Sequence, residues 1–94
     1  MAVHEQMVIT RTGTVVEAGV DDEVFVLDVN GGHCFGFNGT ATEIWHRLET
    51  PMTLAALCDA LIQTRDVDRA TCLSETAALI ETLADEGLVV LTPA

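Results

Sequence analysis

An α+β fold is predicted, a three-stranded antiparallel sheet followed by three helices, because three features of the sequence agree on it. β-branched and aromatic residues gather between Thr14 and Phe37 in short runs separated by turn residues. From Thr40 onward apolar residues recur at helical spacing. The change of period falls at one place, Asn38.

Residues 1–13 carry little pattern; Val8 and Ile9 are suited to pairing at a sheet edge, but a frayed start is expected. A first strand is predicted over residues 14–18, with Val15 and Val16, and turn residues follow from Gly19 to Asp22. Residues 23–29 form the second strand, dense in Val24, Phe25, Val26 and Val29. Asn30-Gly31 tolerates the positive φ angles of a type I′ turn, so a hairpin is expected there. Residues 33–37 return, with Phe35 and Phe37 on one face and Cys34 and Gly36 on the other.

Thr40 and Glu43 match a capping box at the start of a helix whose stripe is Ala41, Ile44, Trp45 and Leu48. Thr50-Pro51 ends it. Thr53 is the expected N-cap of a second helix with the stripe Leu54, Leu57, Cys58, Leu61 and Ile62. Asp68 caps a third helix over residues 69–86, closed by Gly87, and residues 88–91 make a short last strand or an extended tail. The third helix carries two apolar stripes. Leu73, Ala77, Ile80 and Ala84 make one, of which Leu73 and Ile80 are assigned to the core with Phe35, Phe37, Trp45, Leu57 and Leu61. The adjacent stripe, Cys72, Thr76, Leu79 and Leu83, either widens the core face or lines a groove for a partner.

Composition narrows the function. The 94 residues suit one domain, and a 49% hydrophobic content supplies a core despite a formal charge of −11. Fifteen acids face four arginines and no lysine, which disfavours nucleic acid and anionic membranes. The charge fits a basic partner, or simple solubility. No apolar run approaches the roughly 18 residues of a membrane span. No signal-peptide pattern is present, and Cys34, Cys58 and Cys72 lack disulfide or zinc spacing, so a reducing cytoplasm is expected. No nucleotide, hydrolase or zinc-protease motif occurs, and neither a cofactor nor a metal is expected. His33 and Cys34 are sequence neighbours that point to opposite faces of a strand, a poor arrangement for a nucleophile and its base. Asp21, Asp22 and Glu23 read as a solvated turn. Strands followed by three helices also suit a winged helix-turn-helix. A DNA-reading third helix would nonetheless carry Arg69 alone against Glu75, Glu81, Asp85 and Glu86.

The run Val24–Val29 with Gly31-Gly32, then Cys34-Phe35-Gly36-Phe37-Asn38-Gly39-Thr40-Ala41, then Ile44-Trp45, resembles the PqqD family. Met52-Thr53-Leu54 and the closing Leu83-x-x-Glu86-Gly87-Leu88 are similar to its second helix start and its ending, so the resemblance spans about residues 14–91. Phe37 stands where leucine is usual, and Cys34 where an aromatic is common. The resemblance implies a winged-helix-like, non-catalytic recognition element for ribosomally made, modified peptides, such as the lasso-peptide B-type proteins or the pyrroloquinoline quinone chaperone. It implies that a precursor's leader adds as a strand in the cleft between the third strand and the third helix, for delivery to a leader protease or other maturation enzyme. The contacts expected on that basis are His33, Cys34, Phe35 and Gly36 on the strand and Cys72, Glu75, Thr76, Leu79 and Leu83 on the helix. A monomer or weak dimer is expected. Three alternatives remain open: an oligomerisation module pairing through its open sheet edge, a small enzyme using Cys34, and a DNA-binding regulator.

Overall fold

The elements along the chain are Val8–Arg11 (β1), Val15–Val20 (β2), Glu23–Asp28 (β3), His33–Phe37 (β4), Gly39–Arg47 (α1), Met52–Thr53 (β5), Leu54–Thr64 (α2), Arg69–Asp85 (α3) and Val89–Thr92 (β6). The computed structural model describes residues 5–12, 15–21, 23–29, 31–37 and 39–93. Expectations that touch His4, Gly13, Thr14, Asp22, Asn30 and Asn38 lie outside the described residues.

The predicted sheet is the antiparallel meander β2-β3-β4. Its register sets Glu17 opposite Val26 and Val26 opposite Phe35, and Ala18 opposite Phe25 and Phe25 opposite Gly36. Strand alternation then sorts the two faces. Val24, Val26 and Phe37 point inward and are buried, with Phe35 half-buried beside them. Val16, Ala18, Val20, Phe25, Leu27, Cys34 and Gly36 point outward and are exposed. The β3–β4 hairpin forms, but not on a two-residue type I′ turn. Four residues, 29–32, separate the paired Asp28 and His33. The Gly32 N–H donates to the Asp28 carbonyl at 2.8 Å, and the positive φ falls on Gly32 and not on Gly31.

The amino-terminal segment corrects the expectation of a frayed start. Val8–Arg11 is the central strand of a second sheet, β5-β1-β6, and Ile9 is fully buried. Its partners are distant in sequence: Val8 pairs with Thr53 on one side and Thr92 on the other. The same segment completes α2. The carbonyls of Met7 and Glu5 accept the N–H groups of Leu54 (3.3 Å) and Ala55 (2.9 Å), and the Thr53 hydroxyl accepts that of Ala56 (3.1 Å). Donors that a helix start leaves unpaired are thereby satisfied. The closing residues join this sheet as β6.

The helices begin and end mostly where their capping residues stand. The Asp68 carboxylate accepts the Thr71 N–H at 2.8 Å and caps α3. At its other end, Gly87 has φ 79°, its N–H donates to the Ala84 carbonyl, and the Leu88 N–H donates to the Leu83 carbonyl at 2.9 Å. That is a Schellman closure, with Leu83 and Leu88 both buried. The capping box at Thr40 does not form. α1 already starts at Gly39, and the Glu43 carboxylate is drawn away by Arg47 and Arg65.

The assignment of the two α3 stripes also changes. The deeply buried line is Cys72, Thr76, Ile80 and Leu83, while Leu73, Ala77 and Ala84 are only half-buried. Of the expected core stripe, Ile80 alone is fully enclosed. α3 therefore presents a face rotated by about one position from the expected one, because α2 and β6 together fix its roll.

Replacing Ile9 by Ala is expected to lower stability by about 3 kcal/mol, as for a fully enclosed aliphatic side chain. Urea unfolding of the variant checks this; an unchanged midpoint is the result expected of a frayed segment.

Candidate functional site

α1 begins two residues after β4 ends, so its first turn lies at the mouth of the sheet. Across from that turn runs α3, and a groove separates them. One hollow of about 380 Å³ is lined by Gly39, Thr40, Ala41, Ile44, Glu75, Thr76 and Leu79. A second, of about 340 Å³, is lined by Thr40, Leu61, Arg65, Asp66, Val67, Cys72, Glu75 and Thr76. The two share Thr40, Glu75 and Thr76 and form one continuous trough along α3. β4 is an edge strand, paired among the described residues with β3 alone.

The trough is apolar below and acidic at its rim. Ile44, Leu61, Cys72 and Thr76 are buried, and Leu79 and Val67 are half-buried. Thr76 is the one buried polar side chain among the described residues, its hydroxyl 3.8 Å from the Cys72 sulfur. Glu75 and Asp66 are exposed carboxylates. The nearby cation, Arg65, is occupied: its Nε and Nη2 donate to Glu43 Oε1 at 3.0 and 2.8 Å. Glu43 also accepts from Arg47 at 3.0 Å and from the Thr64 hydroxyl at 3.0 Å. Burial pushes its pKa up, but the bonds from Thr64, Arg47 and Arg65 outweigh burial and hold it below the ordinary 4.5. This knot ties the end of α2 to α1, and its Arg65 lines the second hollow.

The expected contact residues divide. Glu75, Thr76 and Leu79 line the trough, and Cys72 forms part of its floor. Leu83 is drawn into the core at 4% exposure. His33 and Phe35 share the inner face of β4, their rings edge to face at 6.2 Å. Cys34 and Gly36 point to the outer face, away from the helices. A Cβ on Gly36 would come within 3.3 Å of the Phe25 ring, so this glycine makes room for a cross-strand aromatic. Thr40, Ala41, Ile44, Leu61 and Val67 were absent from the expected set. The available signal was the pair of small residues Thr40-Ala41 directly after an edge strand.

The cysteines are free. Burial, and then the neighbouring Cys72, push the Cys58 thiol up to about 11, so it stays protonated and inert. Among the described residues no His, Cys, Asp and Glu cluster could hold a metal ion, and no helix is long and apolar enough to cross a membrane.

Residues 23–89 match the family described as coenzyme PQQ synthesis protein D (PqqD). Two solved structures share the architecture. TbiB1 in complex with the TbiA(beta) leader peptide is 30% identical, with a TM-score of 0.81 over 85% of this chain and 93% of that one. Lasso peptide synthetase B1 complexed with the leader peptide is 24% identical, with a TM-score of 0.76 over 87% and 96%, a likeness of fold. Among curated protein sequences none matches significantly.

The Glu43 knot predicts acid sensitivity. A carboxylate with a depressed folded-state pKa stabilises the fold above its unfolded value of 4.5 and loses that contribution as pH falls through the lower folded value. Urea midpoints between pH 6 and pH 3 are expected to fall less steeply in Glu43→Gln than in the parent chain.

Proposed function

The chain belongs to the PqqD family, and from that membership we propose that it binds the leader of a ribosomally made precursor peptide, of lasso-peptide type, and presents it to a maturation enzyme. The observation that carries the proposal is the unpaired edge of β4 beside an apolar, acid-rimmed trough on α3, in a chain built like TbiB1. An edge strand offers backbone N–H and C=O groups to an extended peptide, which gives affinity tolerant of sequence. The backbone of His33, Cys34, Phe35 and Gly36 supplies that ladder. Side chains of the leader on one face then enter the trough, against Leu79 and Glu75, with Cys72 and Thr76 below.

Residues 1–94 act as one recognition unit that works by binding and not by catalysis. Cys34 and His33 project from opposite faces of β4, which supports that reading over a thiol enzyme. Three free cysteines support a reducing, cytoplasmic setting. A second reading, oligomerisation through a sheet edge, draws on β2, whose outer edge is also unpaired among the described residues. A mass that rises with concentration and ignores leader peptides would favour it.

Titration with synthetic leaders, against a scrambled control, tests the proposal. One leader is expected to bind with micromolar affinity or better, about −8 kcal/mol. Leu79→Asp is expected to weaken that binding at least about tenfold while the far-ultraviolet dichroism is unchanged. Equal affinity in the folded variant removes α3 from the site. If the leader is basic, affinity is expected to fall as salt rises, because Glu75 and Asp66 act at the rim.

A further inference from the structure

The second hollow of the trough, at the start of α3, is apolar below and doubly acidic at its mouth. Leu61 and Cys72 are buried in its lining and Val67 is half-buried, while Asp66 and Glu75 are exposed carboxylates. The two acids come from different parts of the chain. Asp66 stands in the loop 65–68 between α2 and α3, and Glu75 in the second turn of α3. Neither has an ion-pair partner among the described residues. The cation on the same lining, Arg65, is held by Glu43 through both Nε and Nη2. Arg11, Arg47 and Arg69 are paired with Glu17, with Glu43, and with Glu5 and Asp59, and the chain has no lysine. Water solvates Asp66 and Glu75 in the free protein. A peptide laid along the trough removes part of that water, and a carboxylate that loses water without gaining a partner is costly. The protein supplies no spare cation, so the peptide must.

We infer that this hollow seats one lysine or arginine side chain of the bound peptide, its methylene stem on Leu61, Val67 and Cys72 and its cationic tip at Asp66 and Glu75. The inference rests on the leader-binding reading above and names the side chain that the hollow selects. Lysine and arginine join an apolar stem to a charged head, which is the pattern of this lining in reverse. Each brings several N–H donors with its charge, enough for both carboxylates. A methionine fills the same floor but leaves the carboxylates without a partner. A tyrosine brings a single hydroxyl donor and no charge. A glutamate is repelled. Asp66 is thereby a specificity-determining residue together with Glu75. The first hollow has Glu75 but no second carboxylate, so the preference belongs to one position of the peptide.

The test is a positional scan with the intact chain. In the synthetic leader that binds it, each residue is replaced in turn by Lys, Met, Tyr and Glu, and affinity is read by fluorescence titration. At one position lysine is expected to bind at least about fivefold more tightly than methionine. In the double variant Asp66→Asn with Glu75→Gln that preference is expected to vanish. In Asp66→Lys with Glu75→Lys the order is expected to reverse, with glutamate the tightest at that position. Both residues are exposed, so the far-ultraviolet dichroism of each variant is expected to match that of the parent chain. A diffuse effect of the −11 charge would instead favour lysine at every position and survive the neutral double variant, and that result overturns the seat. So does the absence of any position that prefers lysine. Failure of the parent chain to bind any leader sinks the leader-binding reading itself, so the two failures are distinguishable.

Discussion

Trp45 is the point at which both sheets and the first helix meet, and the rest of the structure depends on its surroundings. The indole is fully buried, and its N–H donates to Glu17 Oε2 of β2 at 2.6 Å. The Arg11 guanidinium of β1 lies over the ring, 4.3 Å from its centroid, and donates to the Trp45 carbonyl through Nε at 3.0 Å and through Nη2. Arg11 and Glu17 are themselves 3.7 Å apart. One side chain thus gains a hydrogen bond, a cation over its π face and an ion pair that closes the ring of contacts. The carbonyl that Arg11 caps lies in the last turn of α1, where helix carbonyls lack internal partners and a cation is favoured. Phe37, 5.5 Å from the indole, extends the arrangement to β4. Arg11, Glu17 and Trp45 thereby tie β1, β2 and α1 together.

Much of this was legible in the sequence where the determinants are local. Thr53 and Asp68 cap their helices through side chains three residues from the N–H groups they accept, and Gly87 closes α3 within five residues. The β3–β4 hairpin followed from its own composition. What escaped was non-local. β1 is four residues long and carries no alternation of its own; its order comes from Thr92 and Thr53, 84 and 45 positions away from Val8. The pattern from Thr40 to Glu43 matched a capping box, yet Arg65, 22 residues on, claimed the carboxylate. The α3 stripes differ little in hydrophobicity, so only the packing of α2 could decide the roll. Gly36, expected among the leader contacts, also leaves room for the Phe25 ring of the neighbouring strand.

The charge balance ties the architecture to the proposed activity. Each arginine is held in an ion pair: Arg11 with Glu17, Arg47 and Arg65 with Glu43, and Arg69 with Glu5 and Asp59. With the few cations held in ion pairs, the chain keeps a formal charge of −11. Affinity in the trough can then come from backbone pairing and apolar burial, while the field contributes to encounter rate and to rejection of acidic peptides.

The position of β1 also constrains how the polypeptide becomes ordered as it is synthesised. The strand that occupies the middle of its sheet is made first, and its longer partner, β6, is made last. Until Val89–Thr92 have left the ribosome, Ile9 and the pairing groups of one side of β1 have nothing to meet. The meander, by contrast, can assemble from neighbours as soon as it emerges. Pairing β1 with β6 closes the longest loop among the described elements, and its entropic cost can be met only after β6 has been made.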